Sequence, residues 1–142
     1  MLGDVNLEYL EATHMYLFGG VKFLHLLLLL MALDIVTGVF KAWKNGNLWS
    51  RKSLFGYSRK VLVLVVIILA NVVDQILGLE GAVAYATVLF YIANEGISII
   101  ENLADVGVLV PQGLADRLRS IDNSSESMTK EIKEEFTDKD KE

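Results

Sequence analysis

Residues 21–42 read VKFLHLLLLLMALDIVTGVFKA, an apolar run with five consecutive leucines, Leu26 to Leu30, and a single acid, Asp34. About 20 predominantly apolar residues in a helix cross the roughly 30 Å hydrocarbon layer of a bilayer. The run meets that length, so it predicts a first transmembrane helix over 21–42. Asp34 needs a physical account, because an ionised carboxyl at mid-membrane costs about 2.5–3.5 kcal/mol.

Two further runs follow. Residues 60–79 are dense in Val, Ile and Leu, and residues 82–104 form a third, more polar run. β-branched residues favour strands in water. At this length a membrane helix is the better reading, because in lipid the backbone must satisfy its own hydrogen bonds. The turn Gly78-Leu79-Glu80-Gly81 separates the two runs and predicts a tight antiparallel hairpin. The expected fold class is an all-α membrane protein with three transmembrane helices, at 21–42, 60–79 and 82–104. Composition agrees: 53% of the residues are hydrophobic, above the roughly 45–50% of soluble domains. The absence of cysteine excludes disulfides and thiolate metal sites. A net charge of −5 gives no electrostatic reason to bind nucleic acid.

Charge sets the expected orientation. The segment 43–59 holds Lys44, Arg51, Lys52 and Arg59 and no acid, with Lys41 and Lys60 at its edges. Short basic loops stay in the cytoplasm. The N-terminus is then outside and the C-terminus cytoplasmic. The six bases are expected to anchor the loop at the anionic inner leaflet, with Lys41 snorkelling to the headgroups. Trp43 and Trp49 suit that interface. No base precedes Lys22, so the first run is expected to stay in the mature protein rather than be cleaved as a signal. In residues 1–20, Leu7, Leu10, His14 and Leu17 fall at helical spacing. This suits an amphipathic interfacial segment, with a loosely ordered leader as the other reading. In 105–142, Pro111 opens a short helix to about Arg119. After Asn123-Ser124-Ser125, a charged cytoplasmic tail is expected to be largely disordered, with a weak helix near 130–136 as the alternative.

The polar residues inside the spans are patterned. At 100° per residue, Asn94, Glu95, Ser98, Glu101, Asn102 and Asp105 share an arc of roughly 120° on the third span. Asn71, Asp74 and Gln75 share a face of the second, and Asp34 and Thr37 a face of the first. The candidate site is therefore the set Asp34, Thr37, Asn71, Asp74, Asn94, Glu95, Ser98, Glu101 and Asn102. Two roles are open. The stripes line water in an oligomeric pore, or they join helices through hydrogen bonds; Asp74, near the outer end of its span, reads as interfacial. No catalytic constellation is visible, and no metal or cofactor is expected. His14 and His25 lack ligand-like neighbours.

The order of motifs carries a family resemblance. Leu33-Asp34-Ile35-Val36-Thr37-Gly38 precedes Lys41-Ala42, then Asn47-Leu48-Trp49-Ser50 and Arg59-Lys60. Asp74 follows, then Tyr91-Ile92-Ala93-Asn94-Glu95-Gly96-Ile97-Ser98-Ile99-Ile100-Glu101-Asn102 and Gly107-Val108-Leu109-Val110-Pro111. Over about residues 30–121 this resembles the bacteriophage holin family of Gram-positive hosts, which includes the clostridial toxin-secretion holins. The resemblance implies a non-enzymatic protein of the host's cytoplasmic membrane that assembles with itself into lethal holes. An endolysin, or a large toxin in the toxin-locus relatives, is implied as passenger, and an antiholin as a further partner. From the residues alone, a small ion or proton channel or transporter, and a scaffold acting through its charged tail, also stand as readings.

Overall fold

A computed structural model describes residues 6–139 and 141 of the chain. Among them the elements are five helices: α1 (Leu7–Phe18), α2 (Leu24–Lys44), α3 (Arg51–Leu77), α4 (Ala82–Val106) and α5 (Gln112–Lys139). Three of these, α2, α3 and α4, are long and apolar enough to cross a membrane. They run alternately up and down. One end of the bundle carries the α2–α3 connection and its bases, here called the basic end. The other carries the Gly78–Gly81 turn and α1.

The element ends follow from local chemistry. Ser50 starts α3: its hydroxyl accepts the Ser53 backbone N–H at 3.2 Å, the usual capping of a free helix N-terminus. The helix therefore begins at Arg51, well before residue 60. Arg51, Lys52, Arg59 and Lys60 lie on α3, and only the short stretch 45–50 connects it to α2. Gly78, with φ 66°, ends α3 in the left-handed conformation that closes helices. Gly19, with φ 62°, separates α1 from α2; a Cβ there would lie 2.9 Å from the Asn71 Oδ1.

The core is where α2, α3 and α4 meet. Leu24, Leu27, Met31, Val63, Ile67, Val88 and Ile92 bury together, with Ile121 of α5 packed on them. α4 is central: it packs on α2, α3 and α5, whereas α2 and α3 barely touch. The outer faces of α2 and α3 expose Leu29, Val36, Phe40, Val65, Leu69 and Ile76. Such a surface belongs against lipid rather than water.

The C-terminal region differs from its expected form. A short helix and a disordered tail were the expectation for 105–142, yet α5 runs unbroken for 28 residues, through Asn123-Ser124-Ser125. Its reason is docking. Leu118, Ile121, Ser125, Met128 and Ile132 are the inward, wholly or partly buried positions at helical spacing. Leu118 seats over Gly96, where even a Cβ would come within 2.7 Å of it. The Ser125 hydroxyl donates to the Ala86 carbonyl at 2.7 Å. The amphipathic face that α5 carries is thus satisfied along the flank of α4.

Candidate functional site

Asp34, 8% exposed at the middle of α2, is a buried acid inside the first span. It collects donors from two helices. The Lys60 ammonium of α3 binds its Oδ2. Ser98 Oγ and Asn102 Nδ2 of α4 each donate to Oδ1 at 2.8 Å. Lys60 also binds Glu95 Oε2 at 2.6 Å. Thr37, one turn beyond Asp34, accepts from Asn102 Nδ2 at 3.1 Å and donates back to the Leu33 carbonyl at 2.9 Å. One base and two acids from three helices thus form a single cluster, supported by two hydroxyls and an amide. Each charge has a partner, which is the condition for keeping charges away from water.

A cavity of about 670 Å³ opens from this cluster toward the basic end, lined by Asp34, Lys60, Glu95 and Ser98 and flanked by Lys41, Lys52 and Arg59. It lies on the side where α2 and α3 splay apart.

Asp74 sits elsewhere and acts differently. It is 3% exposed, and its carboxylate accepts the backbone N–H groups of Val83 at 2.9 Å and Ala84 at 2.8 Å. Those are free donors in the first turn of α4, where a negative charge is also favoured by the helix dipole. The carboxylate is a cap closing the α3–α4 hairpin. Asn71 plays the matching part for α1: its Nδ2 donates to the carbonyls of Leu17 at 2.9 Å and Tyr16 at 3.4 Å.

The nine expected polar residues therefore divide. Asp34, Thr37, Glu95, Ser98 and Asn102 meet in one cluster. Asn71 and Asp74 are caps at the turn end. Asn94 and Glu101 remain exposed on α4, with no side-chain hydrogen bond or ion pair among the described residues. The basic set divides as well. Lys41 pairs with Asp105 Oδ2 at 2.6 Å, and Lys44 donates to the Asp105 carbonyl at 2.7 Å. Both tie α2 to the end of α4. Arg51, Lys52 and Arg59 are exposed on α3. Lys60 turns inward, which the reading as a loop-edge anchor missed. The signal was available: Lys60, Ile67 and Asp74 are spaced by seven, so the Asn71–Asp74 face continued along the helix reaches Lys60.

Three spans joined by a buried ion cluster and clad in apolar side chains define a multi-pass membrane protein. Its family follows from comparison with known proteins. The family model for the bacteriophage holin family matches residues 12–123. The chain is 51% identical over 125 residues to a "Probable holin" of Bacillus phage phi105, covering 88% of this chain and 93% of the phage protein. It is 54% identical over 122 residues to the Bacillus subtilis protein YqxH, covering 86% and 87%. A Clostridium perfringens protein, CPE0383, is 42% identical over 101 residues, covering 70% and 74%. No solved structure matches. The chain belongs to the bacteriophage holin family. That membership supports a holin role and points to a non-enzymatic one.

Proposed function

We propose that the chain oligomerises in the cytoplasmic membrane of a bacterial host and opens non-specific pores through which an endolysin crosses. Its orientation is N-terminus outside and basic end cytoplasmic, from the bases gathered there. The observation that carries the reading is the Asp34–Lys60–Glu95 cluster. Its polar groups are satisfied within one protomer, so a closed protomer can rest in lipid. The α2–α3 side is only lightly packed. Moving α3 away from α2 exchanges the internal partners of Asp34, Glu95, Ser98 and Asn102 for water, and a polar wall appears. The same residues thus join helices in the closed state and line water in the open one.

Induction of the chain alone in bacteria is expected to halt growth abruptly and collapse the membrane potential. Co-expression with an endolysin that has no signal sequence is expected to end in lysis. Undisturbed growth with the protein confirmed in the membrane would sink the proposal. Selective, saturable cation flux without release of the endolysin would favour the channel or transporter reading instead.

A further inference from the structure

Two unpartnered edges remain once the cluster and the caps are accounted for. On α4, Asn94 and Glu101 are exposed and stand seven residues apart, with the exposed Phe90 on the same face. On α3, Lys52 and Arg59 are exposed and also seven residues apart, with Phe55 between them and the Arg59 guanidinium 5.6 Å from its ring centre. Neither edge suits lipid. A carboxylate and an amide on a membrane helix face seek a polar partner or water.

The two edges match in depth. Lys60 and Glu95 are joined at 2.6 Å and so mark one level of the bundle. At about 1.5 Å per residue, Asn94 and Arg59 lie within about 3 Å of each other in depth, and so do Glu101 and Lys52. Because α3 and α4 run antiparallel, both pairs match in the same register, about 10.5 Å apart. A bilayer holds every copy of the chain at one depth and one orientation. The acidic edge of one copy therefore meets the basic edge of another with a vertical offset of only about 3 Å, the same for both pairs. Asn94, Lys52 and Arg59 all flank the cavity, so a neighbour bound there also covers its mouth.

We propose that the Asn94–Glu101 edge of α4 binds the Lys52–Arg59 edge of α3 on a second copy of the chain, with Glu101 paired to Lys52 and Asn94 to Arg59. The proposal rests on the pore-forming reading only in placing copies side by side in one membrane. It adds which surfaces they join by.

The chain has no cysteine, so disulfide trapping gives a clean test. Two differently tagged full-length chains, one Glu101→Cys and the other Lys52→Cys, are co-expressed and their membranes oxidised. A covalent heterodimer is expected, well above that from Lys52→Cys with Phe40→Cys. Phe40 is exposed on α2 and lies six residues from Asp34 toward the basic end, the same step that separates Glu101 from Glu95. Charge exchange supplies a second measurement. Glu101→Lys is expected to weaken self-association in detergent by about tenfold, the effect of losing one close charge pair. Adding Lys52→Glu to the same chain is expected to restore it.

Two results would overturn the interface: a heterodimer yield no higher than the Phe40 control, or unchanged association in Glu101→Lys. Trapping is read without endolysin, so the two proposals fail separately. Loss of potential without the 52–101 cross-link overturns the interface alone. The cross-link without loss of potential overturns the pore reading alone.

Discussion

The two ends of the bundle bury acids in opposite ways. At the turn end, Asp74 binds backbone N–H groups only nine and ten residues away in sequence. Toward the basic end, at the middle of α2, Asp34 is held by side chains 26 to 68 residues away, on two other helices. The cap is complete once α3 and α4 form a hairpin. The cluster is complete only when all three spans are packed. Burial alone therefore does not identify the acid that can change state. The nature of the partner does: backbone donors fixed in a helix turn cannot move away, whereas lysine, serine and asparagine side chains on separate helices can.

The sharpest way to break this contrast is to remove the base. Lys60→Met leaves Asp34 and Glu95 buried together with no cation, and breaking a buried charge network this way costs about 3–5 kcal/mol. The expected outcome is the largest fall in thermal unfolding midpoint in detergent of any single change at these sites, with growth arrest altered in timing or lost. Adding Glu95→Leu should recover part of the loss, since Asp34 keeps Ser98 and Asn102. No recovery in the double variant would mean that Lys60 acts by packing rather than by charge.

Asp74→Ala tests the other end. It strips two charge-assisted bonds from the first turn of α4, for a loss of about 1–3 kcal/mol. Asp74→Asn, which keeps one acceptor oxygen, should lose less. Both changes should loosen the hairpin without altering the cross-link between positions 52 and 101. A fall for Asp74→Ala as large as that for Lys60→Met would erase the distinction between a local cap and a bundle-wide cluster.

These residues also show how much the sequence carried. The three spans were legible because length and apolar content are properties of single segments. The stripes were legible because 3.6-residue periodicity places Asn94, Glu95, Ser98, Glu101 and Asn102 on neighbouring faces. Their partners were not legible. Which stripe meets which depends on how α2, α3 and α4 rotate about one another, and nothing local fixes that. The apolar run starts at Lys60, which places that lysine at the edge of the basic loop. The helix begins nine residues earlier because of Ser50, a capping signal that the apolar run hides. The position of Asp74 near a span end says nothing of what it binds. Its burial comes from the turn folding α4's free N–H groups back onto it.

The α5 seam gives the smallest and subtlest test, because it resembles neither end. α5 docks through Leu118 on Gly96 and the Ser125–Ala86 bond. Its outward face carries Arg117, Arg119, Glu126, Lys130 and Glu134, all exposed. Charges of that density do not enter hydrocarbon, so α5 stays docked only where water reaches this flank of α4. The seam also holds a flaw: Asp122 Oδ1 is buried with no hydrogen-bond partner among the described residues. An unmet buried acceptor weakens docking by about 1–3 kcal/mol. Asp122→Leu removes the unmet oxygen and adds apolar area, so it should tighten the seam by about 1 kcal/mol. The readout is trypsin cleavage at Lys130 and Lys133 in detergent, expected to slow about fivefold where cleavage follows the open fraction. Faster or unchanged cleavage would show that the carboxylate of Asp122 is already satisfied by water, and that the seam is as firmly closed as the two ends it is compared with.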